Sequence, residues 1–229
     1  MVISLTVVVD APPGRPPVRR TNGRVPPPPR RTGGDDGGER EPEPRRPVLD
    51  NARLATMFLI AAEVMLFAGL ISAFLVLRMG AAVWPPPLQP RLPVAVTGVN
   101  TLVLLASSVA VIGAVRAMRR GALVPVGTRL GLAALLGTTF LAVQGYEWIR
   151  LVGFGLTVAS GAYGGTFYTL IGAHALHVVG ALVWLALTYR LVRRGRLTQT
   201  RHAGLRACAM YWHFVVALWP ILYVAVYLL

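Results

Sequence analysis

The sequence predicts an all-α protein, a polytopic transmembrane bundle of five helices preceded by a disordered tail. Three observations carry that reading. Mostly apolar stretches of at least 24 residues recur at 52–77, 94–118, 127–150, 164–192 and 205–229. A helix rising about 1.5 Å per residue needs about 20 residues to cross a hydrocarbon core, and the surplus allows tilt. The chain is 55% hydrophobic with a mean hydropathy of +0.58, a profile of integral membrane proteins and not of soluble ones. After residue 50 only two acidic residues remain, Glu63 and Glu147, and both sit inside apolar stretches.

Residues 1–50 hold eleven Pro, six Gly, nine Arg and seven acidic residues. Such a segment cannot bury enough apolar surface to offset its chain entropy, so a disordered tail is expected. Pro26 to Pro29 favour a local polyproline II conformation. The first ten residues lack a basic stretch and a small-residue cleavage site, which argues against a secretory signal. The five-helix domain then occupies 51–229. Its connections are short. Trp84-Pro85-Pro86-Pro87 and Pro90 cannot continue a helix, Gly121 and Pro125 are expected to break the second link, and Gly153, Gly155 and Gly161 the third. An Arg-rich link at 193–204 precedes the last span.

Arginine supplies all 23 basic residues. The tail through Arg53 has ten, residues 116–129 four and residues 190–206 six, whereas the opposite side has only Arg78, Arg91 and Arg150. The excess marks cytoplasmic loops, so the N-terminus is expected inside and the C-terminus outside. A net charge of +14 would suggest nucleic acid in a soluble chain. Here the arginines flank apolar segments, where they set topology and meet anionic headgroups, so no nucleic-acid partner is expected. The single cysteine, Cys208, excludes an internal disulfide and reads as a small packing residue.

Burying a carboxylate in hydrocarbon costs several kcal/mol, so the few polar groups inside the spans are the functional candidates. Glu63 falls near the middle of the first span. His174 and His177 are three apart on the fourth and share a face, at a depth where His177 can meet Glu63. Two roles fit Glu63: a protonated carboxyl closing a helix–helix hydrogen bond, or a proton-relay or proton-buffering group. Glu147 lies near the outer end of the third span, on the face of Gln144, beside Trp148 and Arg150. Pairing with arginine at the interface is the simpler role there. Tyr146, Trp148, Tyr211 and Trp212 read as interfacial anchors, and Gly69, Ser72, Gly172, Ala173, Gly180 and Ala181 as small faces for close helix approach. Haem ligation would need His174 with His213, since two histidines three apart cannot reach opposite faces of one haem. No Cys cluster, Asp or HExxH pattern suggests a metal site.

These residues resemble a known family in order and spacing. Glu63-Val64-Met65-Leu66-Phe67-Ala68-Gly69, Trp84-Pro85-Pro86, Gly98-Val99-Asn100-Thr101, Gln144-Gly145-Tyr146-Glu147-Trp148, Phe167-Tyr168, Gly172-Ala173-His174-Ala175-Leu176-His177-Val178 and Tyr211-Trp212-His213-Phe214-Val215 look like subunit III of the haem–copper terminal oxidases, typified by cytochrome c oxidase. The likeness is collinear over residues 54–229. Seven spans are common in that family, and this chain resembles the short five-helix bacterial form. Many members carry an Asp where Val216 stands, so any role of that Asp does not transfer.

The resemblance implies a subunit without its own redox centre, haem and copper belonging to subunits I and II. Its partners would be those subunits and membrane phospholipid, in a bacterial inner membrane. It would stabilise subunit I, support proton uptake and hold lipid in a cleft. Glu63, His174 and His177 would form the polar centre, with Glu147, Gln144 and His213 secondary. Three rivals remain at this point: a subunit-III-like accessory of a nitric oxide reductase, a standalone haem-binding membrane cytochrome, and a proton-coupled carrier using Glu63. The carrier would be expected to show repeated halves or broken helices.

Overall fold

A computed structural model describes residues 51–87, 89–195 and 203–229. The expected tail, residues 1–50, and most of the Arg-rich link lie outside the described residues. The described residues form helices and connecting turns, with no strand. Helix α1 spans Asn51–Met79, α2 Val94–Arg119, α3 Leu123–Gly153, α4 Gly161–Arg193 and α5 Ala203–Tyr223, the last continuing as a π-helical turn over Val224–Leu228. All five are long and apolar enough to cross a membrane.

The helix ends follow local chemistry. Pro125 does not break the second link as expected but lies in the first turn of α3, which starts at Leu123. A first-turn proline loses no hydrogen bond, because the backbone N–H there has no intrahelical partner, and its fixed φ suits the helix. The α2–α3 connection is therefore a tight turn, with Gly121 at φ 73°. The α3–α4 turn uses Gly155 at φ 90° and Gly161 at φ 73°, conformations that favour residues without a Cβ. Pro220 lies inside α5, one turn before the π-helical segment. A proline there removes an i to i−4 hydrogen bond and crowds the preceding turn, which the wider coil downstream accommodates.

Helix α5 is the axis of the bundle, packing against α2, α4 and α1, while α3 closes the far side between α2 and α4. Small residues set the close approaches. A Cβ added at Gly137 on α3 would stand 2.6 Å from the Trp212 ring of α5, so glycine here is what admits the indole. The two tryptophans of α5 are fastened to α2: Trp212 Nε1 donates to Ser107 Oγ at 3.2 Å and Trp219 Nε1 to Thr101 Oγ1 at 2.9 Å. Asn100 of α2 donates to the Phe140 carbonyl of α3 at 3.0 Å. Helix α1 touches only α4 and α5 to any extent.

Candidate functional site

The polar centre is built where α1, α4 and α5 meet. Glu63 is 7% exposed, with Phe67 one turn on and Phe74 two turns further buried on the same helix. Two partners reach its Oε1. The Tyr211 hydroxyl of α5 donates at 2.9 Å, and His177 Nε2 of α4 stands 3.8 Å away. The second carboxyl oxygen, Oε2, is buried without a hydrogen-bond partner. The expected meeting of Glu63 with His177 is therefore present as a contact, but the hydrogen bond belongs to Tyr211.

The His177 tautomer follows from its other nitrogen. Nδ1 lies 2.6 Å from the Ala173 carbonyl oxygen, an acceptor only, so Nδ1 carries hydrogen and donates. In the neutral ring Nε2 then presents a lone pair to Glu63 Oε1. Two lone pairs face each other unless one proton sits on the carboxyl or on Nε2.

His174 is nearly fully buried, and both its ring nitrogens lack partners. Its ring stacks on Trp219 at 5.0 Å and 27°. The Phe67 ring stands edge-on to both histidines, at 6.4 Å from His174 and 5.2 Å from His177. His174 and His177 therefore share Phe67 as a neighbour, with no hydrogen bond from His174 to Glu63.

The secondary residues lie apart from this centre. Gln144 Nε2 donates to the Tyr227 hydroxyl at 3.1 Å. Glu147, 5% exposed, accepts from Arg150 at 3.3 Å, and Arg150 is half exposed at the end of α3. His213 Nδ1 meets the Ser108 hydroxyl of α2 and lines a cavity with several arginines. No cavity described is lined by both His174 and His213, and the face of His174 is filled by Trp219. These two residues do not fit a haem between them. Among the described residues no group of three or more His, Cys, Asp or Glu could hold a metal ion.

Two expected anchors prove to be core. Tyr211 is 7% exposed and Trp212 1%, the first bonded to Glu63 and the second to Ser107. Helix α5 begins at Ala203, so Tyr211 is already about 12 Å along it. The buried residues Tyr211, Val215, Leu218 and Leu222 repeat at helical spacing, and that stripe is the sequence signal that identifies Tyr211 as inward-facing. Tyr146, by contrast, is 61% exposed. Trp148 is partly buried against Tyr168. Val216, where many family members carry an Asp, is buried apolar core.

Five helices long and apolar enough to cross a membrane, packed around a small set of largely buried polar side chains, define a polytopic membrane protein. Comparison with known proteins narrows this further. The family model described as cytochrome c oxidase subunit III matches residues 43–229. The chain is 35% identical over 181 residues to "Cytochrome c oxidase subunit 3" of Synechocystis sp., covering 79% of this chain and 76% of that one. It is 33% identical over 181 residues to the Bacillus subtilis protein of the same name, covering 78% and 86%, and 35% identical over 187 residues to that of Cyprinus carpio, covering 79% and 70%. The chain belongs to the cytochrome c oxidase subunit III family.

Proposed function

We propose that this chain is the non-redox subunit III of an aerobic terminal oxidase in a bacterial inner membrane, oriented with its N-terminus in the cytoplasm. In this reading it associates with subunits I and II, stabilises subunit I, holds membrane phospholipid, and keeps an exchangeable proton available at Glu63. Haem and copper reside in the partner subunits. The orientation rests on the arginine asymmetry of the connecting segments.

The observation that carries the proton role is the half-satisfied carboxyl of Glu63. A purely structural lock would bind both oxygens, because each unmade hydrogen bond of a buried polar atom costs about 1–3 kcal/mol. Glu63 instead commits Oε1 to Tyr211 and His177 and leaves Oε2 unbonded. The lone pair of His177 Nε2 gives a proton a second resting place beside the first. A carboxyl so placed stores and returns a proton without helix rearrangement, and it carries no electron.

The test is Glu63→Gln in the purified oxidase complex. Glutamine keeps the shape and its amide oxygen accepts from Tyr211, but it has no titratable proton to release and take back. Haem content is expected to stay at the wild-type level, while proton-linked turnover falls or the complex inactivates after fewer turnovers. Wild-type behaviour through many turnovers would reduce Glu63 to a structural residue. The nitric oxide reductase alternative predicts instead that the chain co-purifies with a reductase and leaves oxygen consumption unaffected when deleted.

A further inference from the structure

At one end of the bundle the start of α1, the end of α2 and the start of α5 enclose a cavity of about 400 Å³, a size typical of pockets that take small molecules. Arg53, Arg116, Arg119 and Arg206 line it, together with His213. No carboxylate is among the lining residues, and among the described residues Arg53, Arg116 and Arg206 form no ion pair. The contrast with the cavity at the end of α3 is direct. There Arg150 faces Glu147 within the same lining, so its charge is met from inside the chain. Several guanidinium groups around one space repel one another, and an anion that enters relieves that repulsion while giving each planar fork its acceptors.

The cavity has a mouth and a floor. Arg206 and His213 are seven residues apart on α5, and Ile112 and Arg119 seven apart on α2, about 10 Å of helix in each case. Arg53, Arg119 and Arg206 thus stand at the mouth, near the helix ends, with a half-buried imidazole and an aliphatic side chain at depth. The Ser108 hydroxyl meets His213 Nδ1 and holds the ring, so Nε2 is the nitrogen left to meet a ligand. Ile112, Val115 and Met210 add an apolar wall beside the charged one.

The number of arginines decides which anion fits. A phosphodiester or a lone carboxylate brings a single negative charge and leaves most of the cluster unmet. A chain of phosphates brings several charges in one molecule, with oxygens enough for more than one bidentate fork. The apolar wall offers a flat heterocycle a thioether and aliphatic surface to rest on. We propose that this cavity binds a soluble nucleoside polyphosphate, its phosphates held by Arg53, Arg116 and Arg206 and its base laid against Ile112 and Met210. In the orientation given above the mouth opens on the cytoplasm, the side of the membrane that holds nucleoside triphosphates. Helix α1 packs mainly on α4 and α5, so a ligand here ties it to α2 as well. The level of a cytoplasmic polyphosphate is thereby coupled to the packing of the helix that carries Glu63.

The experiment is equilibrium dialysis of the purified oxidase complex against radiolabelled ATP, with inorganic phosphate, pyrophosphate and triphosphate as competitors. Competition is expected to strengthen in that order, about tenfold or more from phosphate to triphosphate, as added charge-assisted contacts would. Arg116→Gln with Arg206→Gln is expected to weaken ATP binding about tenfold or more. Ile112→Trp, which fills the floor and leaves every arginine in place, is expected to weaken ATP more than inorganic triphosphate, since only ATP puts a base there. Arg194→Gln, an exposed arginine beyond the last turn of α4, should change nothing. ATP binding unchanged in the double arginine variant would put the nucleotide elsewhere in the complex and overturn the site. Should that variant shed its partner subunits, ATP affinity unchanged in Ile112→Trp would overturn the site by itself. Phosphate competing as well as triphosphate would overturn the polyphosphate class. ATP that binds only after delipidation, and is displaced by phosphatidylglycerol, would show the arginines already held by a headgroup and overturn the proposal.

Discussion

Helices α1 and α5 run side by side through the same site, yet they are held in different ways. In the most apolar stretch of α5, 56% of residues are buried, against 17% in that of α1. Helix α5 sends two tryptophans into the bundle and bonds each to a hydroxyl of α2. Helix α1 is tied by Glu63 to Tyr211, by Phe67 to the two histidines and by Phe74 to Trp84, and leaves Phe58, Met65 and Val76 facing outward. Lipid tails are as apolar as leucine, so burial of leucine side chains does little to fasten a helix in a membrane. Packing around small residues and hydrogen bonds do the fastening. Among the described residues, the hydrogen bond that ties the fold's axis to its loosest helix is the one from Tyr211 to Glu63.

The largest expected effect is on the axis. Trp212→Ala removes a 1%-exposed indole and its bond to Ser107, and should cost about 3–5 kcal/mol, the range for large aromatic truncations in packed interiors. Unfolding of the purified chain in mixed micelles would measure it. The reciprocal change, Gly137→Val, places methyl groups where a Cβ alone stands 2.6 Å from the Trp212 ring. Overpacking of this kind costs about 1–3 kcal/mol. Combining Gly137→Val with Trp212→Leu should recover part of that loss. If the double variant is as unstable as the sum of the singles, the contact is not what holds α3 to α5.

The next effect is on the tie between the two helices. Tyr211→Phe removes one donor to Glu63 and should cost about 1 kcal/mol. Combined with Glu63→Ala it should show a coupling of similar size, because either change alone removes that bond. The same cycle between Tyr211 and Glu147 should show none. In turnover, Tyr211→Phe is expected to shift the oxidase in the direction of Glu63→Gln but less far, since the carboxyl remains. A Tyr211→Phe complex that inactivates faster than Glu63→Gln would mean that Tyr211 acts independently of Glu63.

Much of this was legible before any coordinates, and the remainder was not for physical reasons. Hydropathy located all five helices because a span must satisfy its backbone internally and face lipid, which forces long apolar runs. Glu63, His174 and His177 stood out because ionisable groups there are costly. What hydropathy does not report is azimuth. Tyr211 and Trp212 carry polar tips on apolar rings, a chemistry equally at home at the interface and in a wet core, and their nearness to a span's start favoured the interface. Only the inward stripe through Val215, Leu218 and Leu222 separates the two. The orphaned nitrogens of His174 were likewise hidden, since a shared face with His177 says nothing of the Trp219 ring that covers it. The arginine cavity needed three helix ends that lie far apart in sequence.

The smallest effect is expected at Glu147, and it sharpens what is particular about Glu63. Glu147 is as buried as Glu63, but its partner is a guanidinium at 3.3 Å, permanently charged and half in solvent. Such a pair is worth about 0–1 kcal/mol, so Arg150→Gln should shift stability by about 0.5 kcal/mol. Raising salt should abolish that difference, because the exposed partner is screened. A guanidinium faces the Glu147 carboxyl, whereas a phenol and an imidazole face that of Glu63, the carboxyl proposed here to hold the proton. Infrared difference spectra of the complex should therefore show a protonated-carboxyl stretching band that Glu63→Gln deletes and Glu147→Gln leaves in place. A band that follows Glu147 instead would reverse the assignment of the proton-holding carboxyl, whatever the stability measurements show.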